Sequence, residues 1–491
     1  MRLNNSALDQ LSPAVSVPAY DRSKLRHGIV HIGVGGFHRS HEAVYTHQLL
    51  QAGGSGDWSI CGVGLREGDR AMQQVLSGQD YLYTLIELGA DNTNALSVIG
   101  SITDFLFAPE EQGAVIEKLA SPQVKIVSLT ITEGGYNVDD NTGRFNESHP
   151  DILHDLENPQ QPRTVFGYLS KALDLRRARN LPPFTVMSCD NLPENGHVAR
   201  SALLAFANLR DAELASWIDA KVSFPSSMVD RITPGTNDKH RQWLTANYDL
   251  EDGWPVICEP FYQWVLEDDF CNGRPEWEKV GVQFTDNVAP YERMKIRLLN
   301  ASHSAMAYLG YLAGYRYTHE VMADERFSHF IRSFMDEDVT PILGEISGID
   351  ITAYKQTLIE RFSNPQMGDQ LARLCMDGSS KIPKFLVPTV QTLVNEGRPL
   401  SRVAMIIASW ALYLRGLDEQ GQRHEINDPM AARLQSAVED RAKLSPEFLG
   451  MADIFGTTLA SSSDFEEAFD AALDKLETNG VFAGLQSLQD A

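Results

Sequence analysis

The sequence predicts an α/β fold over residues 1–285 and a mainly α-helical fold over residues 286–491. A short apolar strand, a glycine turn and an amphipathic helix follow one another between residues 28 and 50. Further buried-type strands alternate with helices as far as residue 284, and strand-like runs nearly vanish after Tyr291. Because a chain of 491 residues exceeds what one ordinary core accommodates, we expect two domains that meet near residue 286.

The composition narrows the classes of partner. The apolar fraction of 43% and the charged fraction of 22% are typical of a globular protein in water. The formal net charge is −24 and the pI is about 4.9, with acidic residues spread along the chain. Nucleic acids and anionic membranes need a positively charged surface. The acidic composition therefore argues against a nucleic acid or an anionic membrane as a partner.

The cysteines and the hydrophobic runs indicate a cytoplasmic protein. The five cysteines are far apart and form no C-x-x-C pair, so neither a disulfide framework nor a structural zinc cluster is expected. The first residues lack the apolar segment of a signal peptide, and the most apolar run, Ala404–Leu414, is too short to span a bilayer. No dedicated assembly segment is visible, and we expect a monomer or a small homo-oligomer.

After a leader that ends near residue 26, a strand runs into a turn that contains Gly33, Gly35 and Gly36 and then into the helix Ser40–Leu50. This order is typical of a dinucleotide-binding βαβ unit, in which glycines let the backbone approach the pyrophosphate. His38 occupies the place of the third glycine in the G-x-G-x-x-G fingerprint. Such turns also occur without a nucleotide, so the motif alone does not decide the function.

The second strand, Trp58–Val63, precedes a charged turn. An acid just after this strand would hold the ribose 2′-hydroxyl of NAD, and either Asp69 or Glu67 could do so. Arg66 and Arg70 flank these acids and could instead accept the 2′-phosphate of NADP. The alternative interpretation is an exposed charged turn.

Two later strands lead into polar residues, at the edge where parallel sheets bind ligands. The strand Val124–Thr130 leads into Glu133. A helix over residues 164–179 feeds the strand Phe184–Ser188, which leads into Asn191. An Asn shortly before a proline also has an ordinary explanation as a turn residue.

The last strands of the first domain surround a further polar pair. The strand-to-loop passage over residues 221–234 contains Val229 and Asp230, and Arg231 follows them. An Asp-Arg pair at this place could be a local ion pair. The segments Val256–Cys258 and Val280–Phe284 complete the predicted strands.

The second domain opens with an uninterrupted helical run from Tyr291 to Leu309. At about 100° per residue, Lys295, His303 and Asn300 lie at about 0°, 80° and 140°, so the three polar side chains share one side. A proton-transfer group, an amide and an imidazole together suit the reversible oxidation of a secondary alcohol beside a hydride acceptor. A solvated helix face is the alternative.

A second polar group follows later in the helical domain. Arg373 precedes the segment Asp377–Lys384, whose glycine and proline predict a loop. Lys381 lies in this segment, where a surface lysine is the ordinary interpretation.

Taken together, the motifs resemble the mannitol dehydrogenase family, the long-chain, polyol-specific, zinc-independent dehydrogenases. The matching segments, in the order of the family, are residues 33–39, 132–136, 188–193, 223–234 and 295–303. The histidine at the place of the third glycine belongs to this family's pattern. The resemblance runs from about residue 28 to residue 384 and covers most of the chain.

This resemblance implies a Rossmann domain that binds NAD, a mainly helical second domain, catalysis in the cleft between them and no metal. It assigns general acid/base catalysis to Lys295 and polarisation of the carbonyl oxygen to Asn191 and Asn300. It assigns substrate contacts to His303, Arg373 and Lys381 and a proton path to Glu133 and Glu292. The implied cofactor contacts are Gly33, Gly35, Gly36, Phe37, His38, Arg39, Asp69, Val229 and Asp230, with Asp69 selecting NAD over NADP.

A lysine that acts as a base needs a lowered pKa, because its reference value is about 10.4. Burial and cationic neighbours such as Arg373 and Lys381 would lower it, whereas a close contact with Glu292 would raise it.

The expected reaction is the NAD-dependent oxidation of D-mannitol to D-fructose and its reverse. Because Arg373 and Lys381 suit a hexuronate as well as a neutral polyol, reduction of D-fructuronate to D-mannonate stays open, as do D-arabinitol and D-sorbitol as substrates. Tyr291 and Lys295 also spell the Tyr-x-x-x-Lys motif of short-chain dehydrogenases, but that motif belongs inside a single Rossmann domain. A non-catalytic NAD-binding sensor is the alternative of a different class, although a sensor has no use for a proton acceptor.

Overall fold

The computed structural model describes residues 1–91, 93–139 and 143–489. Contacts between residues divide the chain into an N-terminal unit, Met1–Ala289, and a C-terminal unit, Pro290–Ala491. The strands of the described residues all lie before residue 286, as the sequence pattern predicts.

Over its described residues, the N-terminal unit contains three sheets. Its strands are β1 (Val15–Ser16), β2 (His27–Ile32), β3 (Ser59–Gly64), β4 (Tyr83–Leu88), β5 (Asn94–Ile99), β6 (Ile102–Phe107), β7 (Ile126–Leu129), β8 (Thr185–Ser188), β9 (Ser227–Asp230), β10 (Val256–Cys258), β11 (Gln263–Glu267) and β12 (Gln283–Thr285). The strand orders are β6-β3-β2-β7-β8, β1-β5-β4-β10 and β12-β11-β9.

The five-stranded sheet is parallel throughout. Since β2 comes first along the chain and lies between β3 and β7, the chain reverses its winding direction beside β2. Sheets of this kind bind ligands at the carboxyl ends of the strands on either side of that point. The strand order therefore predicts a ligand site at the carboxyl ends of β2 and β7.

Both faces of this sheet are covered. Neighbouring residues of a strand point to opposite faces, and accordingly Val30 belongs to one apolar core and Ile29 to another. The helices of the N-terminal unit are Gly36–Ser40, Glu42–Gln51, Arg70–Ser77, Ala108–Ala120, Thr132–Gly135, Pro150–Glu157, Val165–Ala178, Asn195–Arg210, Ala212–Lys221 and Asp238–Tyr248.

The C-terminal unit is helical over its described residues. Its α-helices are Ala289–Lys295, Ala301–Leu312, Thr318–Ala323, Glu325–Ser333, Thr340–Leu343, Ile351–Phe362, Leu371–Cys375, Gly378–Phe385, Val387–Asn395, Ser401–Tyr413, Ala431–Glu439, Leu444–Leu449, Ala452–Ala460 and Ser463–Gln489. Two π-helical segments, Ile296–Asn300 and Phe334–Val339, interrupt this α-helical pattern. None of the described helices combines the length and the apolar character that crossing a membrane requires.

The prediction of one regular α-helix from Tyr291 to Leu309 is wrong in its periodicity. The π-helical segment Ile296–Asn300 separates Lys295 from His303, and a π turn closes its hydrogen bonds between residues i and i+5. The angles that a regular α-helix gives for the polar side chains therefore do not apply. The apolar pattern does not reveal the change, because it is helical in either case.

The prediction of a loop around Lys381 is also wrong. Residues Gly378–Phe385 form a short helix that contains Pro383. A contact distant in sequence fixes its start, because the carboxylate of Asp428 accepts hydrogen bonds from the backbone N–H of Ser379 at 2.8 Å and from its hydroxyl at 2.6 Å. The local glycine and proline signal contains no information about this partner.

Replacing Asp428 by alanine should loosen the start of this helix, because the backbone N–H of Ser379 would lose its acceptor. Loss of a helix cap costs about 1–2 kcal/mol, so we expect the amides of residues 379–386 to exchange with deuterium about tenfold faster. Hydrogen-exchange mass spectrometry measures this directly.

The matched control for Asp428→Ala is Asp440→Ala, which removes the acceptor of the Ala442 N–H at 3.0 Å. The control should leave exchange over residues 379–386 unchanged. Unaltered exchange in Asp428→Ala would show that Asp428 does not fix the helix.

Candidate cofactor site and catalytic residues

The glycine turn after β2 lies against the end of β7. Gly33 has a φ of +95°, and a Cβ at this position would lie 2.1 Å from the carbonyl oxygen of Thr130. The hydroxyl of Thr130 donates a hydrogen bond to the carbonyl oxygen of Gly33 at 2.7 Å. Only glycine permits so close an approach in this conformation.

A cavity of about 720 Å³ lies beside the turn. Its lining includes Gly33, Gly35, Arg66, Asp69 and Thr132, and its volume is within the range of cofactor pockets. Exposed glycine backbone suits a pyrophosphate, and a carboxylate suits the hydroxyls of a ribose. The residues that surround this cavity therefore fit a dinucleotide.

The charged turn after β3 divides into residues that line the cavity and residues that face solvent. Asp69 and Arg66 line the cavity, and the carboxylate of Asp69 accepts a hydrogen bond from the backbone N–H of Arg66 at 2.9 Å. Glu67 pairs with Arg70 at the surface, and this hydrogen bond lowers the pKa of the Glu67 carboxyl. Of the two acids in the turn, Asp69 is therefore the one near the ligand space.

The predicted cofactor contacts from Gly36 to Arg39 are not among the residues that line this cavity. Arg39 donates hydrogen bonds from Nε to the Gly35 carbonyl oxygen at 3.2 Å and from Nη1 to the Trp254 carbonyl oxygen at 2.6 Å. Burial lowers the pKa of Arg39 to about 10. His38 is 1% exposed and stacks on His31. Gly36, Phe37 and Arg39 line a separate cavity of about 610 Å³.

The segment after β7 is anchored by Asp190, which the motif spacing does not single out. Its carboxylate accepts hydrogen bonds from the Ile131 N–H at 3.0 Å, the Thr132 N–H at 2.8 Å and the Tyr136 hydroxyl at 2.7 Å. Thr132 has a φ of +61°, which β-branched residues rarely adopt, so these bonds hold a strained turn. Burial raises the pKa of the Asp190 carboxyl.

Asp190 also stands directly before Asn191, which is exposed at the end of β8. Glu133 is exposed in the short helix Thr132–Gly135 that Asp190 anchors. The sequence signal for Asp190 is a polar residue two positions after the buried strand β8, at the edge where parallel sheets bind ligands.

Val229 and Asp230 end strand β9 and are both buried. The following residue, Arg231, forms an ion pair with Glu87. Its Nη1 donates a hydrogen bond to the Ser40 carbonyl oxygen at 2.6 Å. Arg231 thereby ties β9 to the helix that follows the glycine turn.

In the C-terminal unit, three predicted catalytic and substrate residues lie on consecutive helical segments. Lys295 is 8% exposed and ends the helix Ala289–Lys295. Asn300 ends the π-helical segment, and His303 lies in the first turn of the next α-helix. The His303 ring packs on Phe362 with centroids 4.8 Å apart. Glu292 is buried three residues before Lys295.

Arg373 and Lys381 lie close to each other in the same unit. The Lys381 ammonium donates hydrogen bonds to the carbonyl oxygens of Arg373 at 3.4 Å and Leu374 at 3.3 Å. Arg373 pairs with Asp369 at 2.6 Å. Burial lowers the pKa of the Lys381 ammonium.

Comparison with known proteins gives full-length matches. The model of the mannitol dehydrogenase Rossmann domain matches residues 27–279, and that of the mannitol dehydrogenase C-terminal domain matches residues 287–477. Mannitol 2-dehydrogenase of Phaeosphaeria nodorum is 49% identical over 487 residues, which cover 98% of this chain and 85% of the relative.

Two solved structures match over nearly all residues. Pseudomonas fluorescens mannitol 2-dehydrogenase, in a ternary complex with NAD and D-mannitol, is 55% identical, covers 100% of both chains and superposes with a TM-score of 0.89. A D-sorbitol dehydrogenase in substrate-free form is 38% identical, covers 99% of this chain and 100% of its own, and has a TM-score of 0.93. Both family models and these full-length relatives show that the chain belongs to the mannitol dehydrogenase family.

Proposed function

We propose that this protein is an NAD-dependent mannitol 2-dehydrogenase that interconverts D-mannitol and D-fructose. The observation that carries the proposal is the cavity bounded by Gly33, Gly35 and Asp69, in a chain that is 55% identical to an enzyme solved with NAD and D-mannitol. When bound, NAD supplies a hydride acceptor. The chain itself must bind the polyol, hold its reacting oxygen and move one proton.

In this proposal Lys295 is the general acid/base. It takes the proton of the reacting hydroxyl during oxidation and returns it during reduction. Asn191 and Asn300 donate amide N–H bonds to the same oxygen, and each donor contributes about 2–4 kcal/mol to stabilising negative charge there. The amides and the ammonium group perform the task that a metal ion has in other alcohol dehydrogenases.

The remaining polar residues bind substrate and exchange the proton with water. We assign the substrate hydroxyls to His303, Arg373 and Lys381. Glu292 precedes Lys295 by three residues, a spacing at which side chains on one helix are neighbours. We assign Glu292 and Glu133 to the path by which the proton reaches solvent.

The charge partners in the C-terminal unit support a neutral polyol over a hexuronate. Arg373 already pairs with the carboxylate of Asp369, and Lys381 donates to two backbone carbonyl oxygens. A substrate carboxylate would have to compete with these partners, whereas polyol hydroxyls can accept from the remaining N–H groups. We therefore place D-mannitol before D-mannonate.

The substrate assignment is tested by initial-rate kinetics. D-fructose and D-fructuronate are assayed with NADH and NADPH, and D-sorbitol is assayed with NAD and NADP. We expect kcat/KM for D-fructose with NADH to exceed that for D-fructuronate by at least about tenfold, since an unpaired substrate carboxylate costs more than 1.4 kcal/mol. A preference for D-fructuronate would make the protein a fructuronate reductase. Absence of turnover with all sugars would favour an NAD-binding sensor.

Replacing Lys295 by alanine should lower kcat about 10²–10⁴-fold, which is the usual contribution of a positioned acid/base. The matched control is Tyr291→Phe. The Tyr291 hydroxyl donates to the Ser347 carbonyl oxygen at 2.8 Å, so its loss should cost stability of about 1 kcal/mol and little activity. An inactive Tyr291→Phe beside an active Lys295→Ala would assign the base to the tyrosine.

Replacing Asp69 by alanine should shift cofactor preference toward NADP, because the carboxylate that repels a 2′-phosphate is lost while Arg66 remains. We expect the ratio of kcat/KM for NADPH to that for NADH to rise about 10–100-fold, the scale of one charged hydrogen bond. Glu67→Ala, which removes an acid outside the cavity lining, should leave this ratio unchanged. An equal shift in both variants would point to general surface charge.

A further inference from the structure

A buried chain of hydrogen bonds runs beneath the glycine turn. The Ser128 hydroxyl donates to Oε2 of Glu42 at 2.8 Å and lies 2.8 Å from Nδ1 of His31. Nε2 of His31 lies 2.9 Å from the Thr130 hydroxyl, which in turn donates to the Gly33 carbonyl oxygen. Glu42, Ser128 and His31 are all at most 1% exposed.

The chemistry of the groups fixes the direction of these bonds. The Gly33 carbonyl oxygen can only accept, so the single proton of the Thr130 hydroxyl points at it. Thr130 must then accept from Nε2 of His31, which therefore carries a proton. At the other nitrogen, Nδ1 lies 3.1 Å from Oε2 of Glu42. The Ser128 hydroxyl donates to the same carboxyl oxygen of Glu42 and links it to His31.

His31 therefore donates from Nε2 to Thr130, and its other nitrogen is linked to Glu42 through the Ser128 hydroxyl. The ring of His38 lies on that of His31 with centroids 3.4 Å apart and an interplanar angle of 24°. Burial lowers the pKa of His38.

The same atoms are close enough to suggest a metal site, but their directions do not converge. Ligand atoms of His31, His38 and Glu42 lie within 4.8 Å of one another. An imidazole binds a metal in the plane of its ring, and stacked rings direct their lone pairs side by side. Both nitrogens of His31 are already used in hydrogen bonds.

We propose that His31 is a positioning residue for dinucleotide binding, which fixes Thr130 as the donor to Gly33 and so holds the glycine turn in its binding shape. The inference rests on the NAD site of the proposed function and extends it from the lining residue Thr130 to His31, Ser128 and Glu42, which lie outside the cavity lining. Asp190 holds the next two backbone N–H groups, those of Ile131 and Thr132. We call the hydrogen-bond chain from Glu42 through Ser128 and His31 to Thr130 the relay. The relay fixes the hydroxyl of Thr130, the residue before Ile131.

The proposal is tested by titrating the full-length protein with NADH in the absence of any sugar. The fluorescence of NADH reports the binding. Thr130→Val keeps the side-chain shape and removes the donor, and we expect the Kd to rise about tenfold. Thr130→Ser keeps the donor and should stay within about twofold of the wild type. Equal affinity of Thr130→Val and the wild type would overturn the proposal.

Two substitutions of His31 test the roles of Nδ1 and Nε2 separately. His31→Asn retains an N–H near Nδ1 but cannot reach Thr130, so it should weaken NADH binding as Thr130→Val does. His31→Gln places an N–H near Nε2 and should restore most of the affinity. Combining His31→Asn with Thr130→Val should add no further loss beyond about twofold, because both break one relay. Additive losses would overturn the relay.

The matched control is Thr236→Val, which removes a hydroxyl that donates to the Pro255 carbonyl oxygen at 2.8 Å outside the NAD cavity. It should leave the Kd unchanged. If the wild type binds NADH but turns over no polyol, the substrate assignment fails and the relay stands. If the wild type does not bind NADH, both the cofactor assignment and the relay fail.

A second measurement needs no cofactor. In protein with ring-¹⁵N histidine, we expect His31, identified by its loss in His31→Gln, to carry a proton on Nε2. An Nε2 without a proton would overturn the direction of the hydrogen bond to Thr130. If the wild type binds Zn²⁺ in the absence of other ligands and His31→Gln does not, these residues form a metal site and the relay is wrong.

Discussion

The N-terminal unit depends on the close approach of Gly33 to Thr130. Here the ends of β2 and β7 meet, at a distance that leaves no room for a Cβ on Gly33. Because β2 lies between β3 and β7, a displacement of Gly33 would move the turn that carries Gly35 and the helix behind it. Glycine permits the approach, and the one proton of the Thr130 hydroxyl gives it a fixed direction.

Two buried carboxylates maintain this edge of the sheet. Glu42 acts on Thr130 through Ser128 and His31, whereas Asp190 bonds directly to the next two backbone N–H groups. Burying a carboxylate is unfavourable unless hydrogen bonds compensate it. Both are placed where they hold backbone rather than ligand, so three consecutive residues keep their positions before any cofactor arrives. Such preorganisation lowers the entropy cost of binding.

The sequence predicts the parts of this unit that repeat a pattern. Strands β2, β7 and β8 are rich in apolar residues because both faces of the sheet are buried, and the glycine turn has a local signature. The spacing alone leaves Asp69 and Glu67 open, since the direction of each side chain decides between them, and only the family resemblance names Asp69. The helix around Lys381 could not be predicted either, because its start depends on Asp428, which lies 49 residues away.

In the C-terminal unit the sequence correctly predicts that a helix is present, but it does not predict the directions in which the side chains of that helix point. The apolar residues after Tyr291 correctly predict helix, but the π-helical segment Ile296–Asn300 changes the direction of every side chain beyond it relative to Lys295. A π turn is rare and persists where packing or function requires it. Here a second π-helical segment, Phe334–Val339, packs against the first. The first π-helical segment therefore changes how Asn300 and His303 face relative to Lys295, and the apolar pattern of the sequence does not show this change.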